Sequence, residues 1–316
     1  MSGFAVILQI LFNGIMLGIQ YSMIAVGFTL FRGVLNVLNF SHGDVFMVGA
    51  FISMTLMGAF GVMSAAGLSY IGLIIVIFIL SMILLGIIGV IFERLAVKPV
   101  SKGPVTMSLL ATLGLGIAIR EAVRLFYPRG GESKKFPELF HKLFEGTKGA
   151  FEFSGVIFRY ENILFLIIGV AVVLILAFFI NKTKMGLAIR AVAQDAECAL
   201  MMGVNKDFII DLTFFIGSAL AALAAILYGL YYNTIVFDMG ALMGVIGLSA
   251  AVVGGLGNIY GAIIGGFVFS LTEALSAALI PRGSEFMDVV AFAVVILFLI
   301  FRPSGILGEK VFERVE

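Results

Sequence analysis

Tryptophan is missing from the 316 residues, cysteine occurs once, histidine twice, and only 12% of the side chains are charged. Each scarcity closes off a class of function. The lone Cys198 leaves no internal disulfide and no cysteine-built metal site. Two histidines without clustered carboxylates leave no catalytic triad and no metal constellation. The chain therefore does not read as an enzyme, and no metal or cofactor is expected to bind it. No G-x-x-x-x-G-K-[ST] run occurs, so it carries no P-loop for ATP. Twenty Lys and Arg against nineteen Asp and Glu give a net charge of +1, which offers nucleic acid no attraction. Without Trp, an interfacial aromatic belt has to be built from Tyr or Phe. No Lys or Arg precedes Arg32, so the first apolar run lacks the basic start of a cleavable signal peptide and reads as a retained span.

What the chain has instead is apolar length. It is 61% hydrophobic, with a mean hydropathy of +1.17, too apolar for an ordinary soluble domain. Many runs reach about twenty residues, enough to cross a bilayer core as a helix. The short alternating segments of a transmembrane barrel are absent. The fold class expected is an all-α polytopic membrane protein. Thirty-eight glycines suit close helix packing in lipid.

The expected spans are Phe4–Phe31, a run ending near Phe60, Ile71–Phe92, Val105–Tyr127, Ile163–Ile180, Phe208–Tyr232 and Phe286–Phe301. Asn13 and Gln20 in the first should face other helices, because lipid would leave their amides unpaired. Met239–Ile280 is too long for one span and breaks near Gly254–Asn258. The total is eight or nine crossings with glycine-rich broken helices, in one transmembrane domain over residues 1–316. Residues 128–160 form the one long polar loop, in which G-A-F-E-F-S-G-V-I-F-R-Y alternates well enough for a small hairpin. Eleven Lys or Arg fall on one side (Arg32, 94–102, 182–206 and the tail) and nine on the other, too even a split to orient the chain.

Two breaks resemble each other: Gly43-Asp44-Val45-Phe46 and Gly257-Asn258-Ile259-Tyr260. Asp and Asn at a helix start read as N-caps, and paired glycine-interrupted segments point to a transport path. Asn39, His42, Asp44 and Asn258 are the path candidates there, with a plain helix cap as the alternative for His42 and Asp44. Glu273 joins them as a lone carboxylate in an apolar run; it could equally lie at the membrane edge or pair with an arginine. Arg120 and Arg124 share a helix face with Glu121 beside them, as an ion network or an outer docking point.

Gly186–Asn205 is a polar, amphipathic insert between two long apolar runs and has to lie outside the hydrocarbon. Its Glu197-Cys198-Ala199-Leu200-Met201-Met202-Gly203 fits E-x-A-x-x-x-G. The pattern resembles the E-A-A-x-x-x-G loop of ABC importer permeases, with Cys198 in place of the first Ala. A surface helix in the headgroup region is the other reading of those seven residues. N-F-S-H-G-D at 39–44, G-L-A-I-R-A-V-A-Q-D at 186–195, G-V-N at 203–205, V-G-G-L-G-N-I-Y-G-A-I-I-G at 253–265 and R-P-S-G-I-L-G at 302–308 follow in order. Together they resemble the LivH-type permeases of high-affinity branched-chain amino acid ABC transporters over nearly the whole chain. Ala224-Ala225, where that family has an Ala-Gly pair, and the long loop 128–160 depart from it.

The resemblance implies a permease subunit of an ATP-driven importer in a bacterial or archaeal cytoplasmic membrane. It implies two cytoplasmic ATPase subunits, a second related permease or a second copy, and an external substrate-binding protein. Residues 182–206 would be the cytoplasmic coupling segment, with Arg190, Asp195, Glu197, Ala199, Gly203 and Asn205 as its ATPase-coupling residues. Residues 128–160 would lie outside and the tail 303–316 inside. Urea or short amides as substrate, or a passive channel or secondary transporter, are the alternatives.

Overall fold

The computed structural model describes residues 3–35, 37–61, 68–101, 103–139, 150–153, 156–280 and 282–308. Lys102, Pro281, residues 140–149 and 154–155 of the polar loop, and residues 309–316 of the tail lie outside that set.

Among the described residues, eleven helices carry the fold. They are α1 (Gly3–Leu35), α2 (His42–Ala59), α3 (Leu68–Phe92, continued by a π-helical turn Glu93–Val97), α4 (Val105–Phe126), α5 (Tyr160–Lys182), α6 (Lys184–Gln194), α7 (Ala196–Met201), α8 (Lys206–Tyr232), α9 (Met239–Gly254), α10 (Ile259–Leu279) and α11 (Gly283–Phe301). Two small antiparallel pairs accompany them: β1 (Lys134–Lys135) with β4 (Thr234–Ile235), and β2 (Ala150–Phe153) with β3 (Val156–Arg159). The second pair is the hairpin expected in the polar loop.

Seven of these helices are long and apolar enough to cross a membrane: α1, α2, α3, α5, α8, α10 and α11. α4 has 22 residues but carries Arg120, Glu121 and Arg124, while α9 has only 16, about 24 Å of rise. Among the described residues seven candidate spans thus stand against the eight or nine crossings expected, with α4 and α9 outside the seven.

Contacts at the ends set the direction of each helix. α1 starts beside the hairpin, with the Phe12 and Phe158 rings 4.9 Å apart, and ends beside α6, where Gly33 meets Ala193. α3 starts beside the polar loop, the Tyr70 hydroxyl donating to the Leu139 carbonyl. It ends at α8, where Arg94 pairs with Asp211 and Lys98 with Asp207. β1 pairs with β4 just after α8, so the polar loop lies at the far end of α8 from α6 and α7. The bundle thus has a loop end, holding the strands, and an elbow end, holding α6 and α7.

Burial sorts the helices into layers. Most of the apolar window of α1 (89%) and of α8 (78%) is buried, against 33% for α3, 22% for α5 and 11% for α11. The first two make the core and the last three the outer wall. On α3, Ile71, Ile75, Ile79, Ile83, Ile87 and Ile91 are all about half exposed, as a helix bathed in lipid requires. Small residues set the closest approach. A Cβ on Gly266 of α10 would come within 2.4 Å of Ser22 Oγ on α1, and that hydroxyl donates to the Ile263 carbonyl across the interface at 2.8 Å.

α2 and α9 are shorter than their neighbours because both start inside the bundle. Their N-terminal turns cross: a Cβ at Gly43 would meet the Gly240 carbonyl at 2.2 Å and Gly244 Cα at 2.5 Å. Irregular backbone at such depth is tolerated only where protein buries it, and Asn39, Ser41 and His42 are all buried.

Candidate functional site

The insert between α5 and α8 folds as two short helices with a cap at every joint. Thr183 Oγ1 accepts from the Gly186 amide at 3.0 Å, opening α6. Asp195 Oδ1 accepts from the amides of Glu197 and Cys198, both at 2.9 Å, opening α7. Asn205 Oδ1 accepts from the Phe208 amide at 3.1 Å, opening α8. Each satisfies an orphan N–H of a helix start. α7 ends on Gly203 at φ +83, the left-handed position where glycine costs least. α6 turns Gly186, Ile189 and Val192 inward, the spacing of one helix face.

The six residues expected to couple to an ATPase therefore do different jobs. Asp195 and Asn205 are caps, Gly203 is the turn, and Ala199 is buried and anchors α7. Arg190 Nη1 donates to Asn181 Oδ1 at 3.2 Å, and Asn181 Nδ2 donates to the Tyr260 hydroxyl at 2.9 Å. Arg190 is thus tied through the end of α5 to the first turn of α10. Of the six, Glu197 is the one turned outward from α7. It stands beside Leu200, Met201 and Met202, of which the two methionines are about 85% exposed. The three leave an exposed apolar tip on a helix six residues long and held at both ends.

At the inner break, Asn39 Oδ1 accepts from the Ser41 amide at 3.2 Å and from the Ser41 hydroxyl at 2.6 Å, shaping the turn into α2. His42 is fully buried and sits edge-on between the Phe28 and Phe31 rings, 5.0 and 4.9 Å away. Asp44 is not the cap that its place beside a helix start implied. Ser41 holds the N-cap position of α2 without a side-chain bond. Asp44 lies in the first turn and accepts from Arg120, Nε to Oδ1 at 3.0 Å and Nη2 to Oδ2 at 3.2 Å. Asn258 does cap, accepting from the Gly261 amide at 3.1 Å. The two similar breaks are therefore not equivalent: one polar residue is inside its helix and the other in front of it.

The charged trio on α4 divides accordingly. Arg124 Nε donates to Glu121 Oε2 at 2.7 Å, while Arg120 turns to Asp44 instead of joining them. Glu273 is buried, 3% exposed, and accepts from the Tyr21 hydroxyl at 2.8 Å, with no arginine paired to it among the described residues. Sequence reasoning missed Arg120 and Tyr21 as the partners of these two carboxylates. Both lie on helices whose rotation about their axes periodicity does not give. It also missed the clamp of Arg94 and Lys98 onto Asp211 and Asp207, and the last motif's place. Ile306 and Leu307 donate their amides to the Val253 and Gly254 carbonyls at 2.8 and 2.9 Å, and Asn258 Nδ2 donates to the Leu307 carbonyl at 3.1 Å. The R-P-S-G-I-L-G run thus lies over the joint between α9 and α10. The only signal for that was the co-occurrence of the two motifs in one resemblance.

Residues 10–299 match the family described as the permease component of the branched-chain amino acid transport system. The permease protein BraD of Pseudomonas aeruginosa, from a high-affinity branched-chain amino acid transport system, is 37% identical over 98% of this chain and 98% of that protein. LivH of Escherichia coli K12, named likewise, is 36% identical over 99% of each. A probable branched-chain amino acid transport permease LivH of Methanocaldococcus jannaschii is 28% identical over 90% of this chain and 88% of that protein.

Proposed function

This chain belongs to the branched-chain amino acid transport permease family, and from that premise we propose that it is the membrane-spanning subunit of an ATP-driven importer for branched-chain amino acids. It is a multi-pass protein of a cytoplasmic membrane. Its named relatives are transport permeases rather than enzymes. ATP is hydrolysed on separate ATPase subunits, two per complex, and the chain itself binds no nucleotide. A second permease, related or identical, completes the path, and an external binding protein delivers the substrate.

The observation that carries this reading is the exposed tip of α7, Glu197 with Leu200, Met201 and Met202. Methionines adapt to a partner's groove, and the caps at Asp195 and Asn205 make α6, α7 and the start of α8 one stiff elbow. The elbow end is then cytoplasmic and the loop end external. A push on α7 reaches α8 through the Asn205 turn, and reaches α10 through Arg190, Asn181 and Tyr260. Moving α8 and α10 against α1 and α2 shifts the inner break, where Asp44, Arg120, Gly43 and Gly240 meet. That is alternating access driven from one end.

The test is reconstitution of the permeases with ATPases and binding protein in proteoliposomes. Leucine uptake should require ATP and should vanish, with the ATPase lost from the purified complex, when Glu197 becomes Arg. ATP-independent uptake by the permease alone would refute the reading.

A further inference from the structure

α6 has an outward side that the rest of the elbow leaves open. Gly186, Ile189 and Val192 form its buried side. Lys184, Leu187 and Arg190 follow one another at three-residue spacing and are all exposed, Leu187 to 60%. Charge there is one-sided. The first turn of α6 holds no acidic residue, and Lys182 and Lys184 enter no ion pair among the described residues. Arg190 is bonded to the neutral side chain of Asn181, which leaves its charge uncompensated.

The height of this side in the membrane says what lies against it. α5 belongs to the outer wall, and its Leu174, Ile175 and Phe178 are largely exposed, so lipid chains cover it up to its last turn. Lys182 stands one turn beyond Phe178 and ends the helix. A lysine so placed lays its stem along apolar surface and puts its ammonium among the headgroups. Tyr260, 52% exposed, marks the same height from α10, since its hydroxyl accepts from Asn181 Nδ2 at 2.9 Å. In a chain without tryptophan, tyrosine is left to mark the boundary between membrane and water. Thr183 Oγ1 donates to the Phe179 carbonyl at 2.7 Å, which holds the start of α6 against the last turn of α5. Lys184 and Leu187 therefore stay at headgroup level.

We infer that α6 is an interfacial helix whose outward side binds anionic lipid headgroups of the leaflet at the elbow end. Lys182 and Lys184 face the phosphates, Arg190 adds to their field, and Leu187 enters the boundary of the acyl chains. The insert is then divided, α6 to the lipid and α7 to the ATPase. That this leaflet is the cytoplasmic one rests on the transport reading above; the contact of α6 with lipid does not.

The chain has no tryptophan, so Leu187→Trp places a single fluorophore on α6 and Met201→Trp places one on α7. Each full-length variant is put into phosphatidylcholine vesicles holding brominated phosphatidylcholine or the same fraction of brominated phosphatidylglycerol, with bromines near the headgroup end of the acyl chain. Leu187→Trp should be quenched, and more strongly by the phosphatidylglycerol, while Met201→Trp should not be quenched. Adding Lys184→Gln should cut that preference about fivefold, the scale of one basic residue at an anionic surface. Lys182→Gln should do the same, and raised salt should act likewise. Phe178→Trp, within the hydrocarbon, should be quenched throughout and shows that the chain is inserted. Equal quenching of Leu187→Trp and Met201→Trp overturns the inference. So does quenching of Leu187→Trp that disappears when ATPase subunits are added, which would give this side of α6 to the ATPase. Equal quenching by the two lipids overturns the anionic assignment. Uptake that needs no ATP overturns the transport reading and leaves the lipid contact standing.

Discussion

Asp44 and Arg120, 76 residues apart, meet through two parallel hydrogen bonds of 3.0 and 3.2 Å, where α2 begins inside the bundle. The carboxylate is 6% exposed and the guanidinium 25%. Removing one member of such a pair leaves the other charge uncompensated. Arg120→Leu should destabilise the protein by about 3 kcal/mol, the lower end of the range for a broken buried pair because the arginine is partly solvated. Asp44→Asn combined with Arg120→Gln should cost less than the sum of the two single changes. Thermal unfolding in detergent of the four proteins closes the cycle, and additivity would refute the coupling.

Tyr21→Phe removes the hydroxyl that Glu273 accepts from. A buried acceptor left without its donor costs about 1–3 kcal/mol, so the melting temperature should fall. Glu273→Gln, whose amide oxygen can still accept, should fall less. The same two proteins assayed for leucine uptake separate a packing role from a transport role: only the second predicts that uptake is lost in Glu273→Gln, the variant with the smaller fall in melting temperature.

Gly203 has open space around its Cα but a φ of +83. Backbone strain rather than a clash therefore decides its substitutions. Gly203→Val should weaken the α7–α8 turn and the retention of ATPase subunits. Gly203→Asn should largely keep both, since Asn visits the left-handed region with little cost. Co-elution of the ATPase on size-exclusion chromatography is the readout. Loss with Asn as well would mean that the partner, not the backbone, needs glycine there.

Cys198 is the chain's one cysteine and is exposed on α7, so maleimide labelling reports on that helix alone. Its hydrogen bond to Asp195 and the charge of that carboxylate push the thiol above its ordinary value. Only the thiolate reacts, so labelling should be slow near neutral pH and accelerate as pH climbs. Asp195→Asn keeps a capping oxygen, lowers the thiol's value and should speed labelling at neutral pH. Docked ATPase subunits should protect the thiol at every pH.

Much of this architecture was legible in the residues. The spans, the hairpin, the break before Asn258 and the elbow's position follow from length, alternation and turn chemistry. Side-chain partnership was not legible. α3 and α5 are apolar on every face, so periodicity cannot say which side meets a neighbour. Asp44 looked like a cap because Gly-Asp before an apolar run is local information, whereas Arg120 is reached only through the packing of α2 on α4. Glu273 looked open to an arginine because nothing local marks Tyr21 as its donor. The elbow's division of labour was hidden for a similar reason: a motif identifies Arg190, Asp195 and Asn205 as belonging together without saying that they hold the tip rather than form it.

The segment over the α9–α10 joint has a consequence for biogenesis. The carbonyls of Val253 and Gly254 receive the amides of Ile306 and Leu307, and those donors follow α11 in the chain and so leave the ribosome after it. Until then the joint at the heart of the second broken region is incomplete, however early its own residues enter the membrane. Sealing of that joint thus waits until the segment after α11 has been made, and a chain truncated before Ile306 would insert its helices yet leave the joint unsealed.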